Sequence, residues 1–115
     1  MMHVREERVG RIAVVDVSGT INQDEAETLR GKLADMVARG HRQIVLDLGE
    51  LTHLDSSALG SLVATQIRAD KAGATLKIAN AGKRLRDLLV LTRLTTVFNC
   101  YESLHAAVES FNDHH

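Results

Sequence analysis

Apolar residues along this 115-residue chain recur in two rhythms, one that suits strands and one that suits helices. RIAVVDV (11–17) is rich in Ile and Val, ends at Ser18-Gly19, and predicts a strand. HVREERV (3–9) predicts a weaker, edge-like strand before it, turning at Gly10. In NQDEAETLRGKLADMVARG, residues Ala26, Leu29, Leu33, Met36 and Val37 fall at helical spacing. Asn22 suits the N-cap of that helix, with Glu25 three residues on as in a capping box. Asp24, Glu25 and Glu27 lie in its early turns, Arg39 in its last, and Gly40 follows, an order that complements the helix dipole. IVLDL (44–48) is an apolar run broken once, at Asp47, which suits a strand covered on both faces. A second helix is expected over 56–72, with Leu59, Leu62, Val63 and Ile67 as its core stripe and Gly73 closing it. ATLKIA (74–79) predicts a strand, 82–91 a helix with Leu85, Leu88 and Leu89 inward, and TTVFNC (95–100) a short strand. A last helix over 102–112 carries Leu104, Ala107, Val108 and Phe111.

The expected order is ββαβαβαβα, an α/β fold in a single domain over 1–115. Alternation from residue 44 onward implies right-handed crossovers, a mixed and mostly parallel sheet, and helices packed on it. Functional groups in such folds favour the loops after the carboxyl ends of strands. Residues 49–56 are expected to form one of these loops, which places Asp55, Ser56 and Ser57 of LDSSALG at a helix start where a site is expected.

Composition narrows the function classes. A net charge of −1 lacks the basic footprint that non-specific nucleic-acid binding requires. No apolar run approaches the roughly 20 residues of a membrane span, and MMHVREERVG is charged where a signal peptide would be apolar. The single cysteine, Cys100, forms no internal disulfide and is expected as a small buried filler; a cytoplasmic setting fits. Neither a Walker A motif nor the Rossmann glycine fingerprint is present, and no cofactor is implied. The six histidines lack metal-ligand spacing, the terminal His114-His115 pair included, so no metal is assigned. Lys83, Arg84 and Arg86 crowd the start of the third helix and Arg93 lies beyond its end, as a solvated face or as a patch for an acidic partner.

The DSS triplet supports three chemistries. Asp and Ser are preferred N-caps, because a side-chain oxygen accepts a hydrogen bond from an orphan backbone N–H. A hydroxyl at a helix N-terminus is also a good phosphate acceptor, since the dipole and free N–H groups favour an anion. Adding about −1.5 to −2 charges there would disrupt an apolar partner surface while sparing the fold. The third chemistry, a nucleophilic serine with a histidine base, lacks the G-x-S-x-G elbow, and no histidine is placed by sequence as its partner. His53, two residues before Asp55, is expected as an exposed loop histidine.

The frame IVLDLGELTHLDSSALGSLVATQIRADKAGATLKIAN resembles the STAS domains, named for sulphate transporters and anti-sigma factor antagonists. In that family a strand of the IVLDL type leads to D-S-S-G-L-G at a helix start. Asp55, Ser56, Ser57, Leu59 and Gly60 match, and Ala58 stands where Gly is usual. VDVSGTINQDEAETLRGKL and KRLRDLLVLTRLTTVF extend the resemblance over most of the chain. It implies a bacterial anti-sigma factor antagonist that captures an anti-sigma factor with serine kinase activity and so frees a sigma factor. The kinase would phosphorylate the serine after the Asp, here Ser56, to end the complex, and a phosphatase would reset it. The chain is then a substrate and ligand, not an enzyme, and Asp55, Ser57, Ala58, Asn22 and His53 surround the acceptor. The family's G-E-[IL]-D stretch is GTIN here, so Thr20 replaces Glu and Asn22 replaces the Asp associated with kinase contact. The same resemblance leaves room for a STAS subunit of a lipid-type ABC transporter, or for a scaffold in a stress-sensing assembly.

Overall fold

The computed structural model describes residues 1–94 and 97–112. Its strands are β1 (Met2–Val9), β2 (Ile12–Ile21), β3 (Gln43–Leu54), β4 (Thr75–Ala79) and β5 (Asn99–Tyr101). Its helices are α1 (Gln23–Ala38), α2 (Ser56–Lys71), α3 (Gly82–Leu91) and α4 (Leu104–Asn112). The strands form one sheet in the order β1-β2-β3-β4-β5, with β1 antiparallel to β2 and the other pairs parallel. This is the ββαβαβαβα arrangement expected from the apolar rhythm.

Because neighbours in sequence are neighbours in the sheet, three successive right-handed crossovers put α1, α2 and α3 on one face. There Val15 and Val17 of β2, Ile44 and Leu46 of β3, and Leu76 and Ile78 of β4 form the larger core with Leu29, Met36, Leu62 and Leu89. The strand residues of opposite parity, Ile12, Val14, Val45 and Ala79, are buried on the other face beneath Ala107 and Phe111 of α4. Coverage on both faces explains why IVLDL is almost wholly apolar. Its exception, Asp47, accepts hydrogen bonds from the Gly49 amide and Asn80 Nδ2, each at 3.0 Å.

The helix ends follow local chemistry. Asn22 Oδ1 accepts from the Glu25 amide at 2.9 Å and Glu25 Oε1 accepts from the Asn22 amide at 3.3 Å, completing the expected capping box. At the other end of α1 the Gly40 amide donates to the Val37 carbonyl and the His41 amide to Met36, a Schellman closure with Gly40 at φ +100°. The same closure ends α3, but there Arg93 takes the left-handed conformation, at φ +60°.

Three expectations need correction. Residues 49–54 are not a loop: β3 continues to Leu54, pairing Glu50, Leu51, His53 and Leu54 with Ser18, Gly19, Thr20 and Ile21. The polarity of this stretch reflects exposure, since pairing with β4 ends at Asp47 and beyond it the β2–β3 ribbon overhangs β4, with β1 accompanying β2 as far as Gly19. Ile67 is not core but 46% exposed; at 3.6 residues per turn it lies about 140° around α2 from Leu62. The stripe that is buried runs through Ala58, Leu59, Leu62, Thr65 and Ala69. The last strand is Asn99–Tyr101 and not 95–100; Val97 and Phe98 form a turn before it, and residues 95–96 lie outside the described residues.

Leu62→Ala is therefore expected to cost about 2–5 kcal/mol of unfolding free energy, and Ile67→Ser no more than about 0.5 kcal/mol. Urea denaturation of the two variants checks this; a loss of several kcal/mol from Ile67→Ser would contradict the packing described.

Candidate functional site

The overhanging ribbon ends at the starts of two helices. β2 runs into Asn22, the N-cap of α1, and β3 runs into Asp55, the N-cap of α2. The Asp55 amide donates to the Ile21 carbonyl at 3.2 Å, so the ladder between the strands holds up to the residue that caps α2. Further along, Ser61 Oγ donates to Glu27 Oε1 at 3.1 Å, and Glu27 also pairs with Arg30. The second turns of α1 and α2 are thus fastened side by side.

Asp55 Oδ1 accepts two hydrogen bonds, from the Ala58 amide at 2.8 Å and from Ser57 Oγ at 2.9 Å. The Ala58 amide is the main reason its carboxyl sits below the usual aspartate range; the Ser57 hydroxyl adds to this, and the charge of His53 contributes less. The two serines therefore differ in chemistry. Ser57 is exposed, but its hydroxyl is committed to the cap. Ser56 is exposed, and its hydroxyl has no hydrogen-bond partner among the described residues. Ala58 is fully buried, so it serves the site through its N–H while its methyl fills the core. His53 is exposed as expected, but on β3 opposite Thr20 rather than on a loop, and Asn22 is exposed at the neighbouring helix start.

Beside Ser56 an open cleft of 840 Å³ lies between the start of α2 and the flank of α3. His53, Leu54, Asp55 and Ser56 line one side; Lys83, Asp87, Leu88 and Leu91 line the other. Lys83 Nζ is 2.7 Å from Asp87 Oδ2, so this cation is paired within its own helix. Val90 is 64% and Leu91 81% exposed, which gives α3 an uncovered apolar end next to the serine. Sequence reasoning missed this wall. The signal was there in LLVL (88–91), because four consecutive apolar residues cannot all face inward from one helix.

Other candidates fall elsewhere. Cys100 is half-buried against the core, and burial pushes its thiol above the ordinary range while Arg86 partly offsets the rise. It opens with Arg86, Tyr101 and Glu102 on a separate cleft at the ends of β4 and β5. Among the described residues no group of three His, Cys, Asp or Glu side chains is placed to hold a metal, and His114-His115 lies outside those residues. No helix among the described residues is long and apolar enough to cross a membrane.

Asp55 has a folded pKa below its unfolded value, so its contribution to stability is present above the ordinary aspartate range and is lost as pH falls through the folded pKa. Asp55→Ala is expected to lower the urea midpoint at neutral pH, and the gap from the unsubstituted protein should close as the pH drops below about 4. Asp55→Asn, which keeps an acceptor oxygen, should show a smaller loss. A gap for Asp55→Ala that stays constant down to acid pH would remove the charged cap from the account.

Comparison with known proteins bears on this geometry. The family model described as "Mlab, STAS domain" matches residues 4–100. The anti-sigma-B factor antagonist of Bacillus subtilis (strain 168) is 31% identical over 85 residues, 74% of this chain and 77% of that protein. The crystal structure of an anti-sigma factor antagonist from Mycobacterium paratuberculosis superposes with a TM-score of 0.85 at 27% identity, covering 98% of this chain and 96% of that one. SpoIIAA, a Bacillus cell fate determinant and anti-sigma factor antagonist, shares the fold in two forms. Its unphosphorylated form has a TM-score of 0.76 at 16% identity, covering 97% of this chain and all 100% of its own. Its phosphorylated form has a TM-score of 0.73 at 17% identity, covering 95% and 99%. The capped helix start thus stands in a fold and a sequence frame shared along most of the chain, and the chain belongs to the STAS domain family.

Proposed function

We propose that this protein is an anti-sigma factor antagonist that works by partner switching, with Ser56 as the switch. In its unmodified form it binds an anti-sigma factor with serine kinase activity and so frees a sigma factor. Ser56 Oγ then attacks the γ-phosphorus of ATP held by that kinase. The bond to the β,γ-bridging oxygen breaks, ADP leaves, and the hydroxyl proton passes to a base on the kinase. The chain supplies a substrate hydroxyl and a binding surface, and the transfer machinery belongs to the partner. A phosphatase returns it to the binding form.

The observation that carries the reading is the unequal pair of serines: Asp55 engages Ser57 as it caps α2, while Ser56 stays exposed and free beside an uncovered apolar helix end. A phosphate on Ser56 would join two neighbouring helix N-termini, where dipoles favour an anion. The same dianion would be costly against an apolar partner surface seated on Leu88 and Leu91. Asn22 caps α1 with a neutral amide, while the carboxylates of that first turn belong to Asp24 and Glu25, the latter engaged by the Asn22 amide. That the fold of SpoIIAA in its phosphorylated form also matches this chain supports the view that such a fold tolerates the modification.

The test is affinity capture from native lysate followed by binding measurements with the purified partner. A serine kinase should be recovered, and it should add one phosphate, to Ser56, with Ser57→Ala still accepting it. Ser56→Ala should bind the kinase and take no phosphate, whereas Ser56→Asp should bind at least about tenfold more weakly while melting as a folded domain. Undiminished binding by folded Ser56→Asp, or recovery of a membrane-bound ATPase in place of the kinase, would overturn the proposal; the latter would place the chain among transporter subunits.

A further inference from the structure

Toward the far ends of α1 and α2, away from Ser56, the two helices part and leave an apolar slot of 330 Å³. Its floor is buried Leu33, Ile44 and Leu76. Its walls are alanines, Ala34 and Ala38 from α1 and Ala69 and Ala72 from the end of α2, and their short side chains leave the helix faces unfilled. The one hydroxyl in the lining, on Thr65, already donates to the Ser61 carbonyl at 2.8 Å. The lining is completed by Val37 and two cations, Arg30 and Arg68. Arg30 is paired with Glu27, while Arg68, exposed near the end of α2, has no carboxylate partner among the described residues.

Size and charge together select an occupant. The volume lies at the lower end of the roughly 300–1,000 Å³ range of small-molecule pockets, and an α-helix about 10 Å across does not enter such a space. A single alkyl chain does. Walls without free hydrogen-bonding groups exclude a polar body, and an unpaired guanidinium nearby favours a negative end group. We propose that the slot binds the tail of a free medium-chain alkanoate, with its carboxylate held by Arg68. The site is separate from Ser56, and it stands or falls independently of the partner-switching reading.

The experiment is an NMR titration of the protein, labelled at its alanine methyl groups, with hexanoate, octanoate, decanoate and the neutral decanol, each below its micelle concentration. The methyl signals of Ala34, Ala38, Ala69 and Ala72 are expected to move together, with affinity rising about fourfold for each methylene until the slot is full. Arg68→Gln should weaken decanoate about fivefold and leave decanol unchanged. Ala34→Phe, a change at an exposed helix position that keeps the fold, should plug the slot and abolish both. Four results would overturn the proposal. The first two are the absence of shifts at these alanines with millimolar decanoate and binding that survives Ala34→Phe. Another is shifts that appear with protein concentration alone, which would assign the slot to a second copy of the chain. The fourth is sedimentation of the protein with phosphatidylglycerol vesicles without a response to free alkanoate, which would assign it to membrane lipid.

Discussion

The hydrogen bond from the Ala58 amide to Asp55 Oδ1, 2.8 Å long, decides where α2 begins and which of the neighbouring hydroxyls is left over. A helix start leaves several N–H groups without partners, and a carboxylate is a strong acceptor for one of them. By also taking the Ser57 hydroxyl, the same oxygen removes one serine from the surface chemistry and leaves the other. The interaction is local, but its position is not. Asp55 can cap α2 at that point because the ladder between β2 and β3 persists to the Ile21 carbonyl and holds its amide. Helix cap, sheet register and free hydroxyl are parts of one arrangement.

The overhang of the β2–β3 ribbon gives that arrangement its reach. Beyond Asp47 β4 drops away, β1 follows β2 as far as Gly19, and only the last pairs of β2 and β3 stand as two strands; the irregularities in register between Asp16 and Ser18 and between Gly19 and Thr20 belong to this part. Thr52 Oγ1 donates to the Gly19 carbonyl at 2.9 Å, a further tie within it. The ribbon brings two helix N-termini together, and the cleft toward α3 opens beside them. In the partner-switching proposal this base presents the exposed Ser56 hydroxyl, and the cost of a new charge falls on whatever lies against it and not on the core.

Much of this was legible in the chain because short-range chemistry governs it. The Asn22–Glu25 capping box, the glycine closing α1 and the two-sided burial of IVLDL all follow from residues that act within a few positions of one another. What was not legible depends on distant partners. GELTH looks like a loop by polarity, yet it is strand, because its ladder partner is the end of β2 and its side chains face solvent. Ile67 has the right chemistry for a core stripe, and only its angle around α2 removes it. Arg93 in the left-handed conformation has no residue-type signal, since glycine holds the equivalent place after α1 and α2. At the site, DSS and its helix start were readable, and LLVL signalled an uncovered apolar end on α3, whereas the place of that end beside α2 was not readable: which helix lies beside which is a property of the sheet order. The difference between Ser56 and Ser57 required coordinates, because both hydroxyls stand one or two residues from the same carboxylate.

Partner switching through Ser56 requires that the residue carry a phosphate without disturbing the structure that presents it. The most direct measurement is an amide NMR spectrum of the chain with phosphoserine incorporated at position 56, compared with the unmodified protein. The account requires shifts confined to the start of α2, the neighbouring start of α1 and the facing side of α3, with the resonances of β2, β3 and β4 within the sheet unchanged. Shifts spread through those core strands, or loss of the folded spectrum, would contradict it.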